Sequence, residues 1–129
     1  HCTSSQNFKS ILNDMSSGVF NGRTVVQEDS QKTNSRQSNK NLLLSDKALM
    51  NSNPQLEIYA DDVKCAHGST TGALDKEALF YMQSRGINKD EASSLLIRGF
   101  ASELINKVQH GETKKYLLNK FDHWLRYYN

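Results

Sequence analysis

The chain has 129 residues, enough for a domain with its own core, and only 36% of them are apolar. Its 16 Lys and Arg nearly balance 14 Asp and Glu, giving a net charge of +2, and no region concentrates the basic residues typical of a nucleic-acid-binding protein. The apolar runs are too short for a membrane span or a secretory signal peptide, so we predict neither.

The two cysteines, Cys2 and Cys65, lie far apart and form no CxxC arrangement. This predicts free thiols in a reducing, cytoplasmic setting rather than a disulfide framework. The chain begins without methionine inside strand-like sequence, which predicts a fragment cut from a longer protein.

Residues 1–53 have the composition of short strands joined by polar corners. They contain 18 of the 27 Ser and Asn residues in the chain, and these residue types favour turns over helices. Gly18 and Gly22 are predicted to form tight corners between short apolar pieces. The pattern leaves a sandwich, a barrel and a β-solenoid open. A solenoid tolerates a low apolar fraction because its coils need few inward apolar residues, but the sequence has no clear repeat period that distinguishes it from a sandwich.

Residues 54–72 contain the clearest strand pattern in the chain. The period-2 alternation of a half-buried strand runs through Leu56, Ile58 and Ala60. The alternation breaks at residues 61–62. Beyond the break, Cys65 and His67 are predicted to share one strand face because strand side chains alternate. The sequence Gly-Ser-Thr-Thr-Gly at residues 68–72 is predicted to end the strand.

From residue 74 the hydrophobic period changes to that of a helix, and three helices are predicted over residues 75–128. Asp75 is the predicted N-cap of the first helix, and Gly86 is its predicted stop. Asn88 and Glu91 have the spacing of a capping box that begins the second helix. The apolar stripe of the second helix is predicted to be Ala92, Leu95, Leu96, Phe100, Leu104, Ile105 and Val108.

Cys65 and His67 are the only soft ligand types at a productive spacing, about 7 Å apart along one strand face. Both can reach one metal ion or cluster, but a complete site takes about four ligands, so this chain can supply only part of a shared site. A buried, inert thiol is the alternative for Cys65. Asp61 and Asp62 are interpreted as turn residues rather than a catalytic pair, because neighbours on a strand face opposite ways. The sequence has no nucleotide-binding or hydrolase motif.

The segment DDVKCAHGSTTGALDKEALFYMQSRGI, at residues 61–87, resembles the C-terminal part of the SufB/SufD family of iron–sulfur cluster assembly proteins. The likeness continues upstream through GVFNGRTVV, QKTNSRQSNKNLLLS and PQLEIYADD, and His67-Gly68 resembles the SufD branch. The resemblance implies a mainly β fold with C-terminal helices. In this fold a right-handed parallel β-helix, a single-stranded solenoid, occupies residues 1–73, and a three-helix region occupies residues 74–129.

The resemblance also implies a function. It makes the chain a SufD-like, non-catalytic subunit of a scaffold complex that pairs with a SufB-like subunit and binds a SufC-like ABC-type ATPase, supporting cluster assembly and iron acquisition. It implies that the fragment alone binds no cofactor, that a cluster passes through the full complex transiently, and that the isolated chain can form a homodimer. No nucleic-acid or membrane partner is expected. A carbohydrate-active or adhesive β-solenoid is the alternative of another class, and it predicts secretion and several carboxylates in one groove.

The resemblance carries over to particular residues. The family histidine that matches His67 lies near the junction with the SufB-like partner and is implicated in cluster assembly. Cys65 matches a nearby cysteine, for which a structural role is an equal alternative, and both residues are candidates for an assembly site shared with the partner. Tyr81 and Arg85 share a helix face, and with Phe80 they form the predicted docking surface for the ATPase. Core packing is the alternative for Phe80.

Overall fold

A computed structural model describes residues 1–128 and contains five strands followed by three helices. The strands are β1 (Thr3–Leu12), β2 (Ser17–Val26), β3 (Asn34–Leu43), β4 (Leu49–Ile58) and β5 (Lys64–Gly72). The helices are α1 (Lys76–Ser84), α2 (Lys89–Ile105) and α3 (Gly111–Tyr128). The chain divides after Ala73 into a strand unit and a helical unit, each with its own internal contacts.

The strand unit consists of two small parallel sheets. One sheet has the order β1-β3-β5 and the other has the order β2-β4, so consecutive strands belong to different sheets. The prediction of a right-handed parallel β-helix is wrong, because these described strands form two open sheets with free edges and no closed or solenoid arrangement. The prediction assumed short strands with two or three inward residues each, whereas the strands are nine or ten residues long.

The predicted glycine corners are also wrong, because Gly18 and Gly22 both lie inside β2. Their role is close packing. A Cβ atom at Gly22 would lie 2.7 Å from Oε1 of Gln37 on the facing sheet, and one at Gly18 would lie 2.8 Å from the sulfur of Met50. Each glycine therefore makes room for a side chain at a point where a larger residue does not fit.

The interior of the strand unit is unusually polar. Its buried apolar residues are few and lie near the strand ends and turns: Leu12, Val26, Leu42, Ala48 and Ala60. Between them, alternate residues of β3 point inward and are buried although they are polar: Ser35, Gln37, Asn39 and Asn41. The rings of Phe8 and Phe20 also pack together, with centroids 4.9 Å apart. Buried polar side chains require partners, and Gln37, Asn39 and Asn41 form hydrogen bonds mainly with side chains of the other strands.

An ion pair links the strands of the second sheet. Arg23 on β2 donates hydrogen bonds of 2.8 and 2.7 Å to the two carboxylate oxygens of Glu57 on β4. These bonds lower the pKa of Glu57 below its usual value and raise the pKa of Arg23. In the register of the two strands Arg23 lies opposite Gln55, and Glu57 is two residues further along β4. The pair of parallel hydrogen bonds between Arg23 and Glu57 favours this register.

The predicted helix caps are confirmed. Asp75 accepts hydrogen bonds from the backbone N–H groups of Glu77 and Ala78, at 2.9 and 3.2 Å. Gly86 follows the end of α1 with φ +89°, a left-handed conformation that favours glycine. Asn88 begins α2, and its side chain accepts a hydrogen bond of 2.9 Å from the N–H of Glu91. These caps fix where α1 ends and α2 begins.

The core of the helical unit is small and departs from the predicted stripe of α2. Ala92, Ile97 and Leu125 are buried, whereas Leu95, which belongs to the predicted stripe, is exposed. Arg98 of α2 also forms an ion pair with Asp122 of α3, which joins these two helices. The buried face of α2 is thus rotated toward Ile97, a residue that the stripe omitted.

Candidate functional site

Cys65 and His67 lie on the inward side of β5. Cys65 is in register with Ser35 of β3, and His67 is in register with Gln37. Because residues in register on parallel neighbours point the same way and both β3 residues are buried, the two candidate ligands share the inward face of the sheet. Their spacing along the strand is about 7 Å.

β5 has a free edge. It pairs with β3 on one side, and no strand of residues 1–128 pairs with it on the other. As a result His67 is exposed although it points to the inward side, while Cys65 is a half-buried free thiol. The edge therefore presents a side chain suited to metal binding and proton transfer next to unpaired backbone groups.

A polar network holds the second half of β5 in place. The hydroxyl of Ser69 lies 2.7 Å from the hydroxyl of Ser52 and 3.2 Å from Oδ1 of Asn39, so its one proton can be donated to either oxygen. The amide of Asn41 donates to Thr71 at 3.2 Å. Residues 68–72, predicted to end the strand, instead continue it, because the side chains of Ser69 and Thr71 find partners on the neighbouring strand β3 and on β4 of the facing sheet.

The network extends beneath His67. Gln37, its register partner on β3, donates through Nε2 to Gln6 at 2.9 Å and to Thr24 at 3.2 Å. Asn39, which is 1% exposed, accepts through one oxygen from both Ser52 and Asn41 at 2.7 Å. These bonds fix the β3 backbone along which the site residues of β5 are aligned.

The arrangement can supply part of a metal or cluster site. Cys65 offers a thiolate and His67 an imidazole, both of which bind iron. Within residues 1–128 no group of three or more His, Cys, Asp and Glu side chains could hold a metal ion. Completion of such a site requires ligands from another chain or from the substrate.

The other candidate residues lie apart from this site. Cys2 is exposed beside β1, and its carbonyl accepts a hydrogen bond of 2.8 Å from the N–H of Asn34, so β3 separates it from Cys65. Asp61 and Asp62 are exposed in the bend between β4 and β5. The backbone N–H of Asp62 donates to Gln31 at 2.9 Å, as expected of a turn residue.

The residues predicted to bind the ATPase lie in the helical unit. Phe80 is 74% exposed and Tyr81 is 59% exposed. The guanidinium of Arg85 lies 5.2 Å from the centroid of the Tyr81 ring, within the range of a cation–π contact. The three side chains form an exposed surface of two aromatic rings and one cation, and we call it the α1 surface.

Comparison with known proteins agrees with the predicted resemblance. A family model described as "SUF system FeS cluster assembly, SufBD core domain" matches residues 1–100, which include β5 and the α1 surface. The chain belongs to the SufBD core family. The matched region of this SufBD chain contains both Cys65 and His67 and ends inside α2.

The relatives of this SufBD chain carry matching names. The iron–sulfur cluster assembly protein SufD of Escherichia coli is 44% identical over 117 residues, which cover 91% of this chain and 28% of that protein. A SufBD family protein of Synechocystis is 42% identical over 84% of this chain and 24% of its own length. SufD of Bacillus subtilis is 37% identical over 84% of this chain and 25% of its own length. The chain thus spans about a quarter of the length of each of these relatives.

Sequence reasoning missed the buried polar row of β3. The alternation of Ser35, Gln37, Asn39 and Asn41 was visible in the sequence, but Ser and Asn are typical of turns and were assigned to corners. A period of two over polar residues was the signal that could have identified an inward strand face.

The helices of the described residues include none that is both long and apolar enough to cross a membrane.

Proposed function

We propose that this chain is part of a SufD-like subunit of the scaffold complex that assembles iron–sulfur clusters. Membership of the SufBD core family supports the proposal, as do the names of the relatives from Escherichia coli and Bacillus subtilis. The single observation that carries it is the placement of His67, exposed on a free-edge strand and in register with a buried, hydrogen-bonded residue. The subunit acts as a scaffold rather than as a catalyst in its own right.

In this proposal the free edge of β5 lies at the junction with a SufB-like subunit. Unpaired backbone N–H and C=O groups of an edge strand pair readily with a strand of another chain. His67 then serves as a ligand or proton carrier while iron and sulfide, the substrates, are joined into a cluster. Histidine suits this role because it is a common metal ligand and a common proton carrier in proteins.

Cys65 has the lesser role in the proposal. Its thiol is half-buried, so it reaches a substrate less readily than the exposed imidazole of His67 does. The cytoplasm is the proposed setting, because a reducing compartment keeps such a thiol free. A cluster visits the complex as a product of assembly and does not reside on this chain.

The α1 surface is the proposed docking site for an ABC-type ATPase. Exposed aromatic residues beside an arginine are the types that contribute most to protein–protein binding. Phe80 and Tyr81 are exposed, and Arg85 is held against the Tyr81 ring, which orders its side chain before a partner binds.

Co-purification tests this function most broadly. The full-length protein, tagged and expressed at its native level, is expected to bring with it an ABC-type ATPase and a second protein of the SufB/SufD family. Recovery of the tagged protein with neither partner, under conditions in which both are expressed, would contradict the proposal. Secretion of the protein, or recovery on a polysaccharide matrix, would favour the carbohydrate-binding alternative.

A further inference from the structure

The three-stranded sheet has a markedly basic composition. This is not apparent from the linear sequence, in which its cationic residues are far apart. Its strands contain no Asp or Glu, but they contain four cationic residues that are far apart in sequence: Lys9, Arg36, Lys40 and Lys64. The parallel registers bring two of these, Arg36 and Lys64, to the same end of the sheet.

Two rows of side chains cross this end of the sheet. The first row consists of Thr3, Asn34 and Lys64, and the second consists of Ser5, Arg36 and Ala66. All six are exposed. They alternate with Ser35, which is buried, so they lie on the outer face of the sheet, opposite to the face of His67.

An open depression covers both rows. It has a volume of about 500 Å³ and is lined by residues 3–5, 34–36 and 64–66, and we call it the sheet-end depression. This volume is within the range of small-molecule sites, which is about 300–1,000 Å³. Among residues 1–128, the side chains of Arg36 and Lys64 have no hydrogen-bond or ion-pair partner, so both cations are available to a ligand.

The charge of the sheet-end depression is positive. Its lining contains Arg36 and Lys64 and no carboxylate. Asp62 lines an adjoining hollow of about 290 Å³ that shares Asn34 and Lys64 and also contains Lys32. The two hollows together contain three cations and one carboxylate, which leaves a net attraction for an anion.

We propose that the sheet-end depression binds a small diphosphate anion. The Cα atoms of Arg36 and Lys64 are roughly 8 Å apart by strand spacing, so both side chains can reach one diphosphate. The guanidinium fork matches two phosphate oxygens, and the ammonium supplies a compact second charge. The hydroxyls of Thr3 and Ser5 and the amide of Asn34 add neutral donors around it.

The lining also restricts the class of ligand. None of its nine residues is aromatic, so it offers no ring for stacking a nucleobase. Its small, polar side chains suit an anion that carries two adjacent phosphate groups and little apolar surface. Cys65 also lines the depression, but the two cations that carry the proposal, Arg36 and Lys64, lie on the sheet face opposite to His67, so anion binding does not depend on the role proposed for His67.

Isothermal titration of the purified full chain tests the proposal, with inorganic diphosphate as the probe at fixed ionic strength. We expect saturable one-to-one binding, and binding at least about tenfold weaker for ribose 5-phosphate and for citrate, which lack the paired phosphates. The double variant Arg36→Gln/Lys64→Gln should weaken diphosphate binding about tenfold or more. The control Lys47→Gln/Lys89→Gln removes the same charge elsewhere and should bind as the unmodified chain does.

Several results would overturn the proposal. One is the absence of saturable binding, and another is equal binding by Arg36→Gln/Lys64→Gln and the unmodified chain. Equal affinity for citrate or ribose 5-phosphate would remove the preference for diphosphate. Equal weakening by the control variant would assign the effect to net charge. The melting temperature of each variant verifies that it is folded.

Discussion

At the residue scale, Asn39 is the most deeply buried of the polar residues in the interior of the strand unit. It is 1% exposed, and its side-chain oxygen accepts hydrogen bonds from Asn41, Ser52 and Ser69. One of these donors belongs to each of β3, β4 and β5. Asn39 therefore joins both sheets and holds the strand that presents His67.

Replacement of Asn39 by Ala tests this role. The change removes the acceptor of the buried Asn41 amide and of the less buried Ser52 and Ser69 hydroxyls, so we expect the free energy of unfolding to fall by about 1–3 kcal/mol. Urea denaturation followed by far-ultraviolet circular dichroism measures the change. The matched control is Asn53→Ala on β4, where the side chain is exposed and the expected change is within about 0.5 kcal/mol. Equal stability of the two variants would contradict the assigned role.

The sequence predicted the pairing of Cys65 and His67 on one strand face, because strand alternation is a local property that two residues suffice to define. It left the burial of Cys65 open, and the structure places this thiol between the exposed and the buried extremes. Burial depends on which strands lie alongside, so it could not be read from β5 alone.

At the element scale, helix boundaries were predictable and strand lengths were not. The caps at Asp75, Gly86 and Asn88 involve only backbone groups within four residues of each cap. The local sequence is therefore sufficient to predict these helix boundaries. The strands instead extend through Ser, Asn and Gly residues that favour turns, because a parallel neighbour pairs with them. Such non-local pairing has no signal in a single strand.

The α1 surface yields a prediction at this scale. The double variant Tyr81→Ala/Arg85→Ala should weaken binding to the ATPase at least about fivefold, because it removes an exposed ring and its stacked cation. The melting temperature should change little, since both side chains are exposed. Surface plasmon resonance with the purified ATPase measures the affinity.

A matched control is available on α3. Lys120 lies 5.6 Å from the centroid of the exposed Tyr116 ring, a cation–π pair of the same kind. The variant Tyr116→Ala/Lys120→Ala should bind the ATPase as the unmodified chain does. If both double variants weaken binding equally, the contact is not confined to the α1 surface.

At the scale of the whole molecule, sequence reasoning placed strands before helices but misjudged the sheet architecture. The change from period 2 to period 3.6 near residue 74 coincides with the boundary between the strand unit and the helical unit. The order β1-β3-β5 beside β2-β4 rests instead on contacts between residues about 30 positions apart. Composition left a sandwich and a solenoid open, and the solenoid was predicted from the family resemblance.

His67 is proposed to act in cluster assembly at the free edge of β5, and complementation of a strain lacking the protein tests this role most directly. Full-length His67→Ala is expected to assemble the whole complex with an unchanged melting temperature and yet fail to support cluster formation. Cys65→Ser should have a milder defect, and His123→Ala, on the exposed surface of α3, should have none. Growth and cluster-enzyme activity equal to wild type in the His67→Ala strain would contradict this proposal.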